Sequence, residues 1–149
     1  MQDQSIDNFS REVVEIMPQL YREFAKREDN ELSRGQISFP QMVALVYISK
    51  KSCVSMKSIA NNLGIKMSSA STLIDRLIRD KMLTRRHDEK DRRIVQISIT
   101  AKGTEVIHQI LHQKERSIAQ VFAVLTEEER AQYLRILKKV YVKHAESGK

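Results

Sequence analysis

From Ile6 to Phe24 the apolar residues fall at steps of three and four: Ile6, Phe9, Val13, Ile16, Met17, Leu20, Tyr21 and Phe24. That spacing predicts a helix with one apolar face. Pro18 lies inside it, so a kink or a break is expected there. Residues 25–37 are polar, contain Gly35, and read as a helix end and a loop. Ser38-Phe39-Pro40-Gln41 is a helix start, with a Ser cap, an early Pro and a Gln three residues after the cap. The helix it opens is expected to reach about Lys51 and to bury Met42, Leu45, Val46 and Ile48, with its two last lysines at the negative end of the dipole. Cys53-Val54 leaves room for only a very short strand.

The middle of the chain changes rhythm. Ser55 caps a short helix with Ile59, Ala60 and Leu63 inward and Gly64 as its left-handed stop. A second helix begins between Lys66 and Ser68, with Ala70, Leu73, Ile74, Leu77 and Ile78 inward and Ser68, Ser69, Ser71, Thr72, Asp75, Arg76 and Arg79 outward. Leu83 to His87 and Ile94 to Ile99 read as two strands, the second alternating cleanly, around a tip of six consecutive charges from Asp88 to Arg93. Thr100 caps a long helix that carries Val106, Ile107, Ile110, Leu111, Ile118, Val121, Phe122 and Leu125. Thr126-Glu127-Glu128-Glu129 is a capping box for a last helix with Leu134, Leu137, Val140 and Tyr141 along it.

Composition narrows the class. The chain has 149 residues, 41% hydrophobic and 30% charged, which is ordinary for a folded domain. Four Gly and two Pro are few turn-formers, which favours helix. One cysteine excludes an intramolecular disulfide framework, and no apolar run is long enough to span a bilayer. The polar start lacks a signal pattern, so a cytoplasmic protein without membrane partners is expected. The formal charge is +7, and Ser55–Gly103 alone holds eleven basic against five acidic residues, a net of +6. A basic segment inside a near-neutral frame is the footprint of a nucleic-acid reader.

Helix, glycine turn, helix and hairpin together make a winged helix-turn-helix, and the expected fold is mainly α. The second helix of the pair suits the major groove, where base edges carry a full donor and acceptor code. Lys66, Ser68, Ser69, Ser71, Thr72 and Arg76 are its candidate DNA contacts, with Arg76 the one long donor for a base. Lys90, Arg92 and Arg93 on the tip suit the neighbouring minor groove, whose negative potential attracts cations.

Asp75-Arg76-Leu77, Leu83, Arg85-Arg86, Asp88-x-x-Asp-Arg-Arg93 and Ile94-Val95-x-Ile97-x-Ile99-Thr100-x-x-Gly103 resemble the MarR-type transcriptional regulators. The likeness extends to the flanking helices and covers essentially the whole chain. It implies a homodimer built from residues 1–37 and 104–149, with residues 38–103 as the DNA-binding region. It also implies a roughly palindromic double-stranded operator, commonly repression, and a small-molecule effector of unknown identity. Two positions depart from the family pattern. Lys81 stands where a Gly usually ends the recognition helix, and Lys90 where many members have Arg, which moves weight onto Arg92.

Other readings compete at single residues. His108 and His112 share a helix face and could hold a metal only with added ligands such as Glu28 or Glu31, so exposed helix histidines are the default reading. Cys53 lies near Lys50 and Lys51 but reads as a semi-buried structural residue before a redox sensor. A metal- or thiol-responsive regulator of the same fold, or a winged-helix module for an acidic protein, are the alternatives. There is no Gly-rich phosphate loop and no nucleophile elbow, so neither an enzyme nor a cofactor is expected.

Overall fold

In the computed structural model, residues 2–147 are described, with side chains throughout except at 2–4, 144, 146 and 147. The elements in order are α1 (Gln2–Ala25), α2 (Phe39–Ser49), β1 (Val54–Ser55), α3 (Met56–Leu63), α4 (Met67–Arg79), β2 (Leu83–His87), β3 (Val95–Ile99), α5 (Ala101–Val121), a 3-10 turn (Phe122–Val124) and α6 (Glu127–Ser147). No helix among the described residues is long and apolar enough to cross a membrane. The chain divides into two compact units, one spanning Arg27–Lys114 and the other made of Met1–Lys26 and Glu115–Lys149.

The Arg27–Lys114 unit is a winged helix. Ser38 caps α2 with a complete box: its hydroxyl accepts the Gln41 N–H, and its own N–H donates to Gln41 Oε1 at 2.7 Å. The helix ends at Ser49, two residues before the expected limit, so Lys50 forms the cap and Lys51 lies past it over the Tyr47 ring. Ser55 caps α3, and Gly64 closes it at φ 64°, a left-handed conformation that a Cβ would strain. The three strands are antiparallel in the order β1-β3-β2, with Val54 opposite Ile97 and Leu83 opposite Ile99. Leu45, Ile48, Ile59, Ile74, Leu77 and Ile97 are fully buried between the helices and the sheet.

The polar stretch after α1 is more than a loop. Asn30 is fully buried, yet its side chain is satisfied. Its Oδ1 accepts the N–H groups of Leu32 and Ser33, and its Nδ2 donates to Gln113 Oε1 at 2.8 Å on α5. Gln113 in turn donates from Nε2 to the Asp29 carbonyl at 3.0 Å. A buried amide left unpaired would cost about 1–3 kcal/mol, so this exchange holds the loop to α5.

In the other unit, α1 runs through Pro18 as one helix, so of the kink or break expected there the break does not occur. Pro removes the N–H that would serve the Val14 carbonyl. Val14 is exposed, so water can take that bond. Phe24 stacks on Phe122 at 6.0 Å between ring centres, and Phe122 on Tyr133 at 5.1 Å. The Ser117 hydroxyl donates to the Phe24 carbonyl at 3.0 Å, and Thr126 and Glu129 complete the box that opens α6.

Candidate nucleic-acid interface

The candidate reading helix is α4. Its buried side is Ala70, Ile74 and Leu77, with Leu73 and Ile78 partly covered at the flanks. Of the expected contact residues, Lys66, Ser68, Ser69, Thr72 and Arg76 are exposed, whereas Ser71 is half-buried and sits at the edge of the outward face. Lys66 occupies the cap position with extended backbone and no side-chain cap bond. Arg76 makes no ion pair among the described residues, so its guanidinium is available to a ligand.

The turn after α4 fixes the end of the helix. Lys81 adopts φ 62°, so the position does require the conformation that Gly prefers, and this chain holds a Lys there. Four contacts hold the turn. The Thr100 hydroxyl lies 2.7 Å from the Lys81 carbonyl and 3.0 Å from that of Met82, and its oxygen accepts the Gly103 N–H at 3.1 Å. Lys102 Nζ donates to the Asp80 carbonyl at 2.9 Å. A Cβ on Gly103 would stand 2.2 Å from the Met82 carbonyl oxygen, so only Gly lets α5 begin this close to the turn. Asp75 on α4 pairs with Arg85 on β2 at 2.6 Å, joining the helix to the wing. Both partners are solvated, so the pair is worth less than about 1 kcal/mol and acts mainly on orientation.

The wing tip is built by its aspartates. Asp88 Oδ1 accepts the N–H groups of Lys90 at 2.8 Å and Asp91 at 3.1 Å, while Asp91 Oδ1 accepts that of Arg93 at 3.0 Å. The donation from Lys90, then that from Asp91, holds the Asp88 carboxyl below its ordinary value. His87 Nδ1 lies 3.0 Å from the Arg92 carbonyl, bracing the other side of the tip. Lys90, Arg92 and Arg93 are all exposed on this scaffold, and Arg93 is only loosely paired with Asp91 at 3.7 Å. Read from the sequence, Asp88 and Asp91 count only as charges, and their structural role is missed. An aspartate two residues before a turn amide was the available signal.

The remaining candidates separate from this face. His108 and His112 are exposed on α5, in an open groove with Thr104, Glu105 and Gln109. Among the described residues no three His, Cys, Asp or Glu side chains come together to hold a metal. Glu28, one of the carboxylates needed to complete such a site, is instead paired with Lys114 at 3.3 Å. Cys53 is exposed, which corrects the semi-buried reading. Val54 turns inward at the start of β1, and strand alternation sends its neighbour outward.

A winged helix whose reading helix and wing both expose cations defines a class, the winged-helix DNA-binding proteins. Comparison with known proteins narrows it. The MarR family model matches residues 37–95. The HTH-type transcriptional repressor MdtR of Bacillus subtilis is 24% identical over 136 residues, covering 91% of this chain and 88% of that protein. The structure of a MarR family protein from Bacillus stearothermophilus matches with a TM-score of 0.78 at 22% identity, over 97% of this chain and 99% of the other. A mutant of MepR from S. aureus bound to an oligodeoxyribonucleotide matches at 0.64 and 21% identity, over 91% and 96%. The match to the MarR family model thus falls on the reading head, and the relatives that align with most of the chain are named as HTH-type transcriptional regulators.

Proposed function

We propose that this chain is a cytoplasmic repressor that works as a homodimer on a roughly palindromic double-stranded operator. In each half-site α4 lies in the major groove and the 88–93 wing in the flanking minor groove. The observation that carries this reading is the coincidence of the net +6 segment with the exposed faces of α4 and the wing. Arg76 is assigned to a base edge, where a bidentate contact with guanine is worth about 1–3 kcal/mol of discrimination. Lys66, Ser68, Ser69 and Ser71 are assigned to phosphate or base contacts, and Lys90, Arg92 and Arg93 to the minor groove. The MepR complex with an oligodeoxyribonucleotide, in a protein of the same fold, supports the DNA assignment.

The dimer is assigned to residues 1–37 and 104–149. Its support is apolar: Phe9, Ile16, Met17 and Tyr21 on α1 and Leu137 and Tyr141 on α6 all stand exposed in the single chain. Two-fold symmetry then sets the half-sites about 10 bp apart, one helical turn. A small-molecule effector, which the family likeness implies, can release the operator only by binding one spacing of the two reading heads better than the other.

Salt titration against operator-length duplex tests the reading. A DNA reader loses affinity steeply, with a log–log slope of about −0.9 per phosphate contact. A flat slope, or no preference for duplex over another polyanion, sinks it and points to an acidic protein partner. Arg76→Ala is expected to relax sequence preference, and Arg92→Ala to weaken all sequences alike; the opposite pattern would exchange the two roles.

A further inference from the structure

The opening turn of α4 carries a chemistry that the hydroxyl residues beside it obscure. Met67, its first residue, is 51% exposed although it is a large apolar side chain on the reading element. The thioether therefore takes little part in the core. Thr72 supplies a second apolar group. Its Oγ1 donates to the Ser68 carbonyl at 3.1 Å within the helix, so the hydroxyl hydrogen is engaged, and the methyl is the apolar group that this exposed side chain can offer. At about 100° per residue, Met67, Ser71, Ser68 and Thr72 sweep an arc of about 140° from the flank of the core to the outermost side. Arg76 lies one turn beyond Thr72 on that outer side.

In the major groove, the one apolar group that a base pair presents is the C5-methyl of thymine. We propose that Met67 and the Thr72 methyl are specificity-determining residues that select thymine by contact with its 5-methyl group, at positions of the half-site distinct from the base read by Arg76. The inference rests on the assignment of α4 to the major groove. It also changes the role of Thr72 from a hydrogen-bonding residue to an apolar one. Both residues are already exposed, Met67 at the flank of the helix and Thr72 on its outer side. Cytosine at those positions lacks the 5-methyl group and so forfeits the contact.

The test uses the full-length protein and duplexes that it selects from a random-sequence pool. Each thymine of the selected half-site is replaced in turn by deoxyuridine, which keeps base pairing and removes only the methyl. Wild-type protein is expected to lose about fourfold in affinity at one or two thymines per half-site, the factor carried by one buried methyl. That loss is expected to vanish at the corresponding thymine in Met67→Ala or in Thr72→Ser. The second variant keeps the bond to Ser68 and so keeps the helix, which leaves a reading should Met67→Ala be unstable. Tolerance of deoxyuridine at every position overturns the proposal, as does a loss that persists unchanged in both variants. Absence of salt-dependent binding to any duplex instead overturns the DNA assignment beneath it, so the two failures are told apart in one titration series.

Discussion

The two units of this chain carry the same kind of hydrophobic pattern and put it to opposite use. Every buried apolar side chain among the described residues lies between Ile37 and Ile110, inside the winged helix. In the other unit Ser117 is the only buried described residue, and the stripes on α1 and α6 face outward. Ile74 on α4 is fully buried, whereas Leu137 on α6 is 46% exposed, although both sit at regular three- and four-residue spacing. A 3.6-residue period states that a face needs cover; it does not state which chain supplies it. The reading head closes its own core, and the flanking helices leave theirs for a second copy in the proposed dimer.

That contrast breaks most visibly at its two ends. Ile74→Ala should destabilise the reading head by about 2–5 kcal/mol, measured by denaturant unfolding, because a cavity opens in a core with no slack. Leu137→Ala, a deletion of similar size, should cost far less in dilute protein. It should instead move the monomer–dimer equilibrium in sedimentation and make the thermal midpoint more concentration-dependent. An equal, concentration-independent loss for both would show that α6 buries its stripe within its own chain.

Smaller effects sharpen the account of the reading head. Gly103→Ala should cost about 1–3 kcal/mol in urea unfolding, since the new methyl meets the Met82 carbonyl and one element must shift. Lys81→Gly should run the other way, raising stability by about 0.5–1 kcal/mol once the left-handed strain and the added chain entropy are set against each other. The Lys81→Gly gain should appear in the thermal midpoint without loss of the fold. Acid should give the least effect. The Asp88 carboxyl is held below its ordinary value of 3.8, so its contribution to wing order is complete above that pH. Order should fall as pH drops through the lower folded value. The protection factors of the Lys90 and Asp91 amides, with the intrinsic pH dependence of exchange divided out, should therefore fall at acid pH in wild type, and at neutral pH in Asp88→Ala.

Local signals were legible wherever a few neighbouring residues decide the backbone. The Ser38–Gln41 box, the Gly64 stop, the strand limits near Leu83 and Ile99 and the Thr126–Glu129 box could all be read from spacing. The requirement for a left-handed residue at Lys81 was legible too, through the glycine that the family pattern places there. Side-chain partners were harder to read. Thr72 has the residue type of a hydrogen-bonding contact, yet its hydroxyl turns back onto Ser68. Pro18 suggests an interruption because the residue type forbids one bond, yet an exposed helix loses only that bond and continues.

By itself the sequence determined the period of each helix, the caps that start and stop them, and the placing of nearly all net charge in one third of the chain. Those properties follow from steric preference, backbone hydrogen bonding and composition, all local or additive. Only the tertiary structure decided that Asn30 is buried and paired with Gln113, that Cys53 is exposed, and that Gly103 is the contact by which α5 meets the end of the reading helix. These depend on groups up to 83 residues apart in the chain meeting at hydrogen-bond or van der Waals distance. Periodicity carries no information about such meetings, because it records which face turns inward and not what waits there.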